Sequence, residues 1–333
     1  MLETKGSKGM PSVEVPVANS IVETDVSLPA RPGLLRRIWG RLSTQRVVES
    51  DNWQVGLCSG DAGELIDAGL PALRWVAAPS GHYFADPFLV EASGRTFLLV
   101  EDWDRARRKG SISAAELVGG VPGAFKTVLE EDHHLSYPFV LKTSDGVFMI
   151  PEQGQSGAVH LYEAVDFPWR WRRGPRLIEG AFFDPTVCAR EDGYWLWLSR
   201  GGALCSDELH LFHSPRLDGP FEPHPLNPVS QLSRRCRPAG PALWHGGTLY
   251  RPAQNSEGGY GRGLLLYSVD EMTPTQYRES LVRSLSPWPD RDGLHHVSSA
   301  GGWLALDANR YRRERVPVTE VLAAKLRSMR HRR

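Results

Sequence analysis

Apolar and polar residues alternate along this chain in short runs broken by glycine-centred turns. Phe84-Ala85-Asp86-Pro87-Phe88-Leu89-Val90 and Phe97-Leu98-Leu99-Val100-Glu101-Asp102-Trp103 read as two strands joined by a turn at Ala92-Ser93-Gly94-Arg95. The unit recurs at Ser136–Val140 with Phe148–Glu152, and at Phe183–Val187 with Trp195–Ser199. It recurs again at Arg237–Gly240 with Leu249–Pro252, and in weaker form at His295–Ser298 with Trp303–Asp307. The prolines at 87, 138, 185 and 238 stand 51, 47 and 53 residues apart. A period near fifty, built of short strands and no helical pattern, belongs to propeller blades. Five copies predict an all-β, five-bladed β-propeller.

Third strands follow at Ser111–Ala115, Val159–Glu163, Leu209–Phe212 and Gly263–Tyr267, and outer strands such as Phe125–Leu129 complete four per blade. The fifth copy shows two strands only. Upstream, Trp53–Leu57 and Ala72–Val76 are strand-like and unclaimed by the first blade. These N-terminal strands are expected to complete the last blade, closing the ring and removing open sheet edges. The propeller is thus expected over residues 51–312. Residues 1–50 read as a disordered linker carrying a short basic amphipathic segment, Gly33–Leu42. Residues 313–333 read as a basic helix, with Val321, Leu322, Leu326 and Met329 at helical spacing. Both basic segments are candidates for peripheral contact with an anionic membrane face. A solvated or packed helix is the plainer reading of each.

Composition adds exclusions. The 39 basic and 39 acidic residues cancel, so no overall field directs the chain to nucleic acid. Four scattered cysteines without a C-x-x-C pair read as reduced thiols. No apolar run approaches the ~20 residues of a membrane span, and a cytoplasmic location is expected. There is no P-loop, Rossmann start or G-x-S-x-G elbow, and no cofactor is expected. Gly258–Gly263 lies between strands and reads as a hairpin turn rather than a phosphate loop.

In a propeller the first strands line the axis. The repeats therefore bring Asp86, Ser136, Asp184, Arg237 and His296 toward one funnel, and the second strands add Glu101, Asp102, Glu152, Arg251, Gln254 and Asp307. Opposed carboxylates are what glycosidic-bond chemistry needs: one donates a proton to the leaving oxygen while another activates water or attacks the sugar. Asp86 is the candidate base or nucleophile, Glu152 the proton donor, and Asp184 the group that tunes it. Arg237 and Arg251 are expected to hold an anionic group, and Trp103 and Tyr137 to stack on sugar rings at the mouth. The alternative is architectural, because Asp before Pro commonly shapes a turn. Neither His133-His134 nor His295-His296 has zinc-ligand spacing, so no metal is expected.

The series Ala85–Phe88, His134–Pro138, Met149–Glu152, Leu161–Ala164 with Phe167–Trp169, and Leu249–Gln254 is similar to one known domain. It resembles the N-terminal propeller-like domain of plant glucosamine inositolphosphorylceramide transferases and their bacterial stand-alone relatives, over about residues 52–310. More distantly, the Asp-Pro blade starts resemble five-bladed glycosidases of the family 43 type. The first resemblance implies an accessory or acceptor-handling module, since sugar transfer in the plant enzymes is assigned to a separate C-terminal glycosyltransferase domain. The second implies a base, an orienting Asp and a Glu acid, matched here by Asp86, Asp184 and Glu152, with Ser136 in place of an Asp in the second blade. The expectation is a domain acting on a carbohydrate or glycolipid by glycosyl transfer or hydrolysis. The alternative is a noncatalytic glycan-binding module of a separate glycosyltransferase.

Overall fold

A computed structural model of the protein describes residues 45–202, 205–232 and 235–317. Strands are numbered in chain order. Trp53–Asn309 forms the propeller, and β1 (Gln45–Ser50) with β23 (Arg312–Pro317) belongs to a second unit. These two strands pair antiparallel from Gln45 with Pro317 to Ser50 with Arg312. Segments expected as linker and as the start of a helix therefore form a ladder, which satisfies their backbone donors and acceptors mutually. The basic segment at 33–42 and the helix expected beyond residue 317 lie outside the described residues. Among the described residues no helix is long and apolar enough to cross a membrane.

Blade one contains β4 (His82–Ala92), β5 (Arg95–Asp104), β6 (Lys109–Val118) and β7 (Val121–Pro122), with β8 (Lys126–Leu129) also on β6. Blade two runs β9 (Ser136–Thr143), β10 (Gly146–Glu152), β11 (Ala158–Asp166) and β12 (Arg170–Glu179). Blade three runs β13 (Phe183–Arg190), β14 (Gly193–Gly202), β15 (Cys205–Ser214) and β16 (Glu222–Pro223). Blade four runs β17 (Leu243–His245), β18 (Thr248–Asn255), β19 (Gly263–Met272) and β20 (Tyr277–Leu285). Blade five is β21 (Val297–Ala300) and β22 (Trp303–Asn309), completed by β2 (Trp53–Ser59) and β3 (Arg74–Trp75). β2 pairs with β22 from Trp53 with Asn309 to Ser59 with Trp303, so the ends of the propeller chain close the ring as expected.

The repeated proline has a defined backbone role. Asp86, Tyr137 and Asp184, each immediately before a repeat proline, have φ of 48°, 45° and 51°. Left-handed backbone is unfavourable for residues with a Cβ, most of all for a bulky one. In blades one and three the ladder slips at this point, between Ala85 and Phe88 and between Phe183 and Thr186. A bulge of this kind re-aims a side chain out of the strand's alternation. It also shows that Tyr137, not Ser136, is the second-blade counterpart of Asp86.

Blade four departs from the expected pattern. Arg237–Gly240 makes only an isolated bridge, Pro238 to Ala253, and the ladder strand is β17 further on. Prolines at 238 and 241 remove two backbone donors here. In blade five the ladder starts at Val297, because the His295 and His296 N–H groups are spent on the Asp307 carboxylate.

The core lies between blades. Tyr137 is fully buried, and its hydroxyl meets Thr186 Oγ1 at 2.7 Å while accepting from the Gly240 N–H at 2.8 Å. One side chain of blade two thus ties down blade three and the approach to blade four. Gly240 is itself constrained: its φ is 132°, and an added Cβ would sit 1.9 Å from the Val297 carbonyl oxygen. Gly240→Ala is expected to destabilise the propeller by at least about 1–3 kcal/mol, read as a lowered denaturant midpoint. An unchanged midpoint would show that the Tyr137–Gly240–Val297 junction does not hold the ring.

Candidate functional site

The site is built from loop backbone and first-strand bulges converging at one end of the axis. Asp307, on β22, lies at its floor and is fully buried. Its Oδ1 accepts from the N–H groups of His295 (3.1 Å) and His296 (3.0 Å), and its Oδ2 from the Asp86 N–H (3.1 Å). His295 Nδ1 lies 2.7 Å from Oδ2. Burial pushes the Asp307 carboxyl upward, but His295 and the backbone donors overcome it, and the group is held below the usual carboxylate range. His295 is raised in turn: burial opposes its charge, and Asp307 outweighs burial.

Asp86 is presented by its bulge toward the same histidines, with Oδ1 3.7 Å from Nδ1 of both His295 and His296. Its Oδ2 accepts from the Tyr137 N–H at 3.1 Å. Asp184, from the equivalent bulge of blade three, binds the Arg237 guanidinium through both oxygens and accepts from Gln254 Nε2 at 3.1 Å. Glu152 ends β10, accepting from Ser136 Oγ (2.9 Å) and from the Gly154 N–H (2.6 Å). His134 Nδ1 accepts from the Gly110 N–H at 2.9 Å, which leaves the proton of the neutral ring on Nε2. That nitrogen lies 3.8 Å from Glu101 and 3.9 Å from Glu152. His134 is neutral at physiological pH, its pKa lowered to about 3 by burial and then by Arg237.

The electrostatics follow from the count of charges. Five carboxylates (Asp86, Glu101, Glu152, Asp184 and Asp307) are buried here with one guanidinium, Arg237, and with His295, whose proton affinity is raised. Asp184 holds Arg237 and Asp307 holds the His295 ring, which leaves Glu101 and Glu152 without an adjacent cation and Asp86 sharing His295 at 3.7 Å. Burial, aided by Asp184, pushes Glu152 up to about 7. Burial also raises Asp86, against the pull of His295, and it raises Glu101 well above the carboxylate range with Asp86 and Glu152 adding to the shift. Solvent reaches the cluster from one side: the side chains of His134, Arg237 and Glu101 are 17%, 12% and 10% exposed, against 1% for Asp184 and 0% for Asp307. Asp86, His295 and Asp307 also offer ligand atoms within 4.8 Å of one another, a spacing a divalent cation could bridge. The pull of Asp307 on the His295 proton competes with that use.

Of the residues singled out from the sequence, Asp86, Glu101, Ser136, Glu152, Asp184, Arg237, Gln254 and Asp307 meet in this cluster. His296 is beside it, packed against Phe88 and Tyr137 with both ring nitrogens outside hydrogen-bonding geometry. Five of these readings are corrected. Arg251 points to the other face of β18 from Gln254 and forms a buried pair with Glu279, 2.8 and 2.7 Å from its oxygens. Asp102 is on the opposite face of β5 from Glu101, held by His82 Nδ1 (2.7 Å) and Ser113 Oγ (2.8 Å). Strand alternation is the reason in both cases. Tyr137 is a core pin instead of a mouth aromatic, and Trp103 is buried, stacked on Tyr83 with ring centroids 5.8 Å apart. Arg237, already paired with Asp184, is not held out for an anion.

Four site residues escaped the sequence reading. His134 is the second member of one noticed His-His pair and His295 the first member of the other. Trp53, at the start of β2, stacks on His295 at 3.7 Å. Tyr260, from the Gly258–Gly263 turn, sits 5.3 Å from the His295 ring and under the Arg237 guanidinium. Four glycines in the six positions 258–263 around one tyrosine were the available signal for Tyr260.

The described residues thus build a five-bladed propeller with buried acids at one end of its axis. In fold it is similar to Zg3597, a family 117 glycoside hydrolase from the marine bacterium Zobellia galactanivorans, with a TM-score of 0.50 and 12% identity. That match covers 78% of this chain and 90% of the other. The chain belongs to the family described as glucosamine inositolphosphorylceramide transferase 1, N-terminal, whose family model matches residues 72–290. It is 32% identical over 246 residues to glucosamine inositolphosphorylceramide transferase 1 of Oryza sativa subsp. japonica, covering 68% of this chain and 33% of the relative. The Arabidopsis thaliana protein of the same name is 28% identical over 262 residues, covering 77% and 32%. The chain thus spans about a third of the length of these relatives.

The raised Glu152 carboxyl has a consequence for stability. Its folded pKa of about 7 exceeds the ordinary 4.5, so the folded state retains a proton that the unfolded state has lost between these values. This stability contribution is complete below about pH 4.5 and is lost as pH rises through about 7. Glu152→Gln is expected to flatten the fall in melting temperature across that window, measured by scanning calorimetry at stepped pH. Parallel curves for the two proteins would show that Glu152 ionises freely in the folded chain.

Proposed function

We propose that this propeller acts on a glycoconjugate at the axial cluster, breaking or transferring a glycosidic bond by paired carboxylate chemistry. The observation that carries this reading is Glu152, a buried carboxyl whose pKa of about 7 keeps it protonated up to neutrality, raised by burial and by the charge of Asp184. Glu152 donates its proton to the leaving glycosidic oxygen as the C–O bond breaks. Asp86 takes the proton from the attacking water or acceptor hydroxyl, and Asp184 holds the Arg237 guanidinium in place. Glu101 and neutral His134, on the solvent side, orient sugar hydroxyls. With Arg237 taken by Asp184, the acid-rich pocket favours a sugar amine, which can accept a proton from a raised carboxyl, over the anionic group expected from the sequence, and the matched relatives are named for glucosamine. The second reading is an accessory module that binds such a glycan for a separate glycosyltransferase. It is supported by the family match, which is described as the N-terminal part of the relatives.

Calorimetric binding and turnover would be measured with wild type, Asp86→Asn and Glu152→Gln, using sugar nucleotides, glucosamine-containing head groups and oligosaccharides. Retained binding with turnover reduced roughly 10²–10⁴-fold in either variant is the expected result. Binding without turnover in all three proteins would move the assignment to the accessory module. A free amine is expected to bind more tightly than its N-acetylated or hydroxyl analogue. Equal affinity for the three would remove the amine from the reading.

A further inference from the structure

A second recess opens at the far end of the blades. Asp184 lies near the start of β13 and Arg190 at its end, a six-residue run of strand spanning roughly 20 Å. Arg190 Nη1 donates to the Met272 carbonyl at 3.2 Å, joining blade three to the turn between β19 and β20. The groove between them has a volume of about 710 Å³ and is lined by Arg190, Trp244, Thr248, Asp270, Glu271 and Arg278. This size is within the ~300–1,000 Å³ typical of small-ligand sites.

Trp244 sets this groove apart. It is 61% exposed, whereas every other aromatic side chain among the described residues is buried or half-buried. A large exposed indole at the edge of a concave surface offers an apolar face with a polar handle. Beside it the polar groups are already ordered. Asp270 accepts from Ser268 Oγ (2.8 Å) and Ser280 Oγ (2.5 Å) and pairs with Arg278 at 3.2 Å. Groups fixed in advance cost little to order on binding. The two arginines and two acids of the lining balance, so the groove selects for a neutral, hydroxyl-rich ligand over a charged one.

We infer that this groove is a second glycan-binding site, taking a neutral sugar unit of an oligosaccharide on the Trp244 ring, with hydroxyls on Asp270, Glu271 and Arg278. It sits on the propeller end opposite the acid cluster, so it tethers a chain or captures an extended substrate without joining the bond-breaking chemistry. The inference does not depend on the proposed function, because its readout is binding.

The test is calorimetry and a glycan array with the full chain, probing neutral linear oligosaccharides of glucose, xylose, arabinose and mannose. Wild type, Trp244→Ala, Trp244→Tyr and Glu152→Gln would be compared. Trp244 supports no core contact at its exposure, so the variants are expected to keep the wild-type melting temperature. Binding is expected to fall about tenfold or more in Trp244→Ala, to stay near wild type in Trp244→Tyr, and to be unaffected by Glu152→Gln. Absence of binding to every neutral glycan overturns the inference. So does binding that survives Trp244→Ala, binding lost in Glu152→Gln, or preference for charged sugars.

Discussion

The site depends on the way first strands break their own ladders. A residue before proline is pressed toward extended backbone, yet Asp86, Tyr137 and Asp184 are all held left-handed at that position. Such geometry persists only where surrounding contacts over-determine it. Here they do: the Asp86 N–H is taken by Asp307, the Tyr137 N–H by Asp86, and the Tyr137 hydroxyl by Thr186 and Gly240. The chain of contacts passes from blade five through one and two to three and four. Ring closure and side-chain aim are therefore one construction, and the same carboxylates that line the site help hold its blades together.

That double use explains the charge balance. Buried carboxylates are costly unless paired or hydrogen-bonded. Asp307 and Asp184 meet the requirement with backbone N–H groups, His295, Gln254 and Arg237. Asp86, Glu101 and Glu152 do not find equal compensation, and their proton affinity rises instead. The two arrangements divide the labour: the paired carboxylates Asp307 and Asp184 lie deepest, and the carboxyls with raised proton affinity lie nearer solvent. Trp53, Trp103 and Tyr260 enclose the histidines around this cluster, lowering the local dielectric and strengthening each shift.

Much of the architecture was legible in the chain because blade formation is local. Alternation, glycine turns and a proline recurring near every fifty residues report on strands that pair with their sequence neighbours. Closure was legible for a related reason: the last repeat lacks two strands and the N-terminus has two to spare. The acids at Asp86, Glu101, Glu152 and Asp184 followed from their places in that repeat. By contrast, Asp102 and Arg251 were drawn in by proximity in sequence, although single-residue alternation turns each to the other face.

What the sequence by itself determined is the number of blades, their order, the closure and the strand ends from which the acids come, since all of these follow from short-range pattern. Only the tertiary structure decided which side chains face one another. The left-handed bulges that swing Asp86 and Asp184 inward depend on contacts from other blades, and so does the burial that makes Tyr137 a pin. His134, His295 and Tyr260 arrive from loops, and their roles exist only relative to carboxylates on other blades. Protonation was decided there as well, because desolvation and neighbouring charge act through space and leave no trace in spacing along the chain.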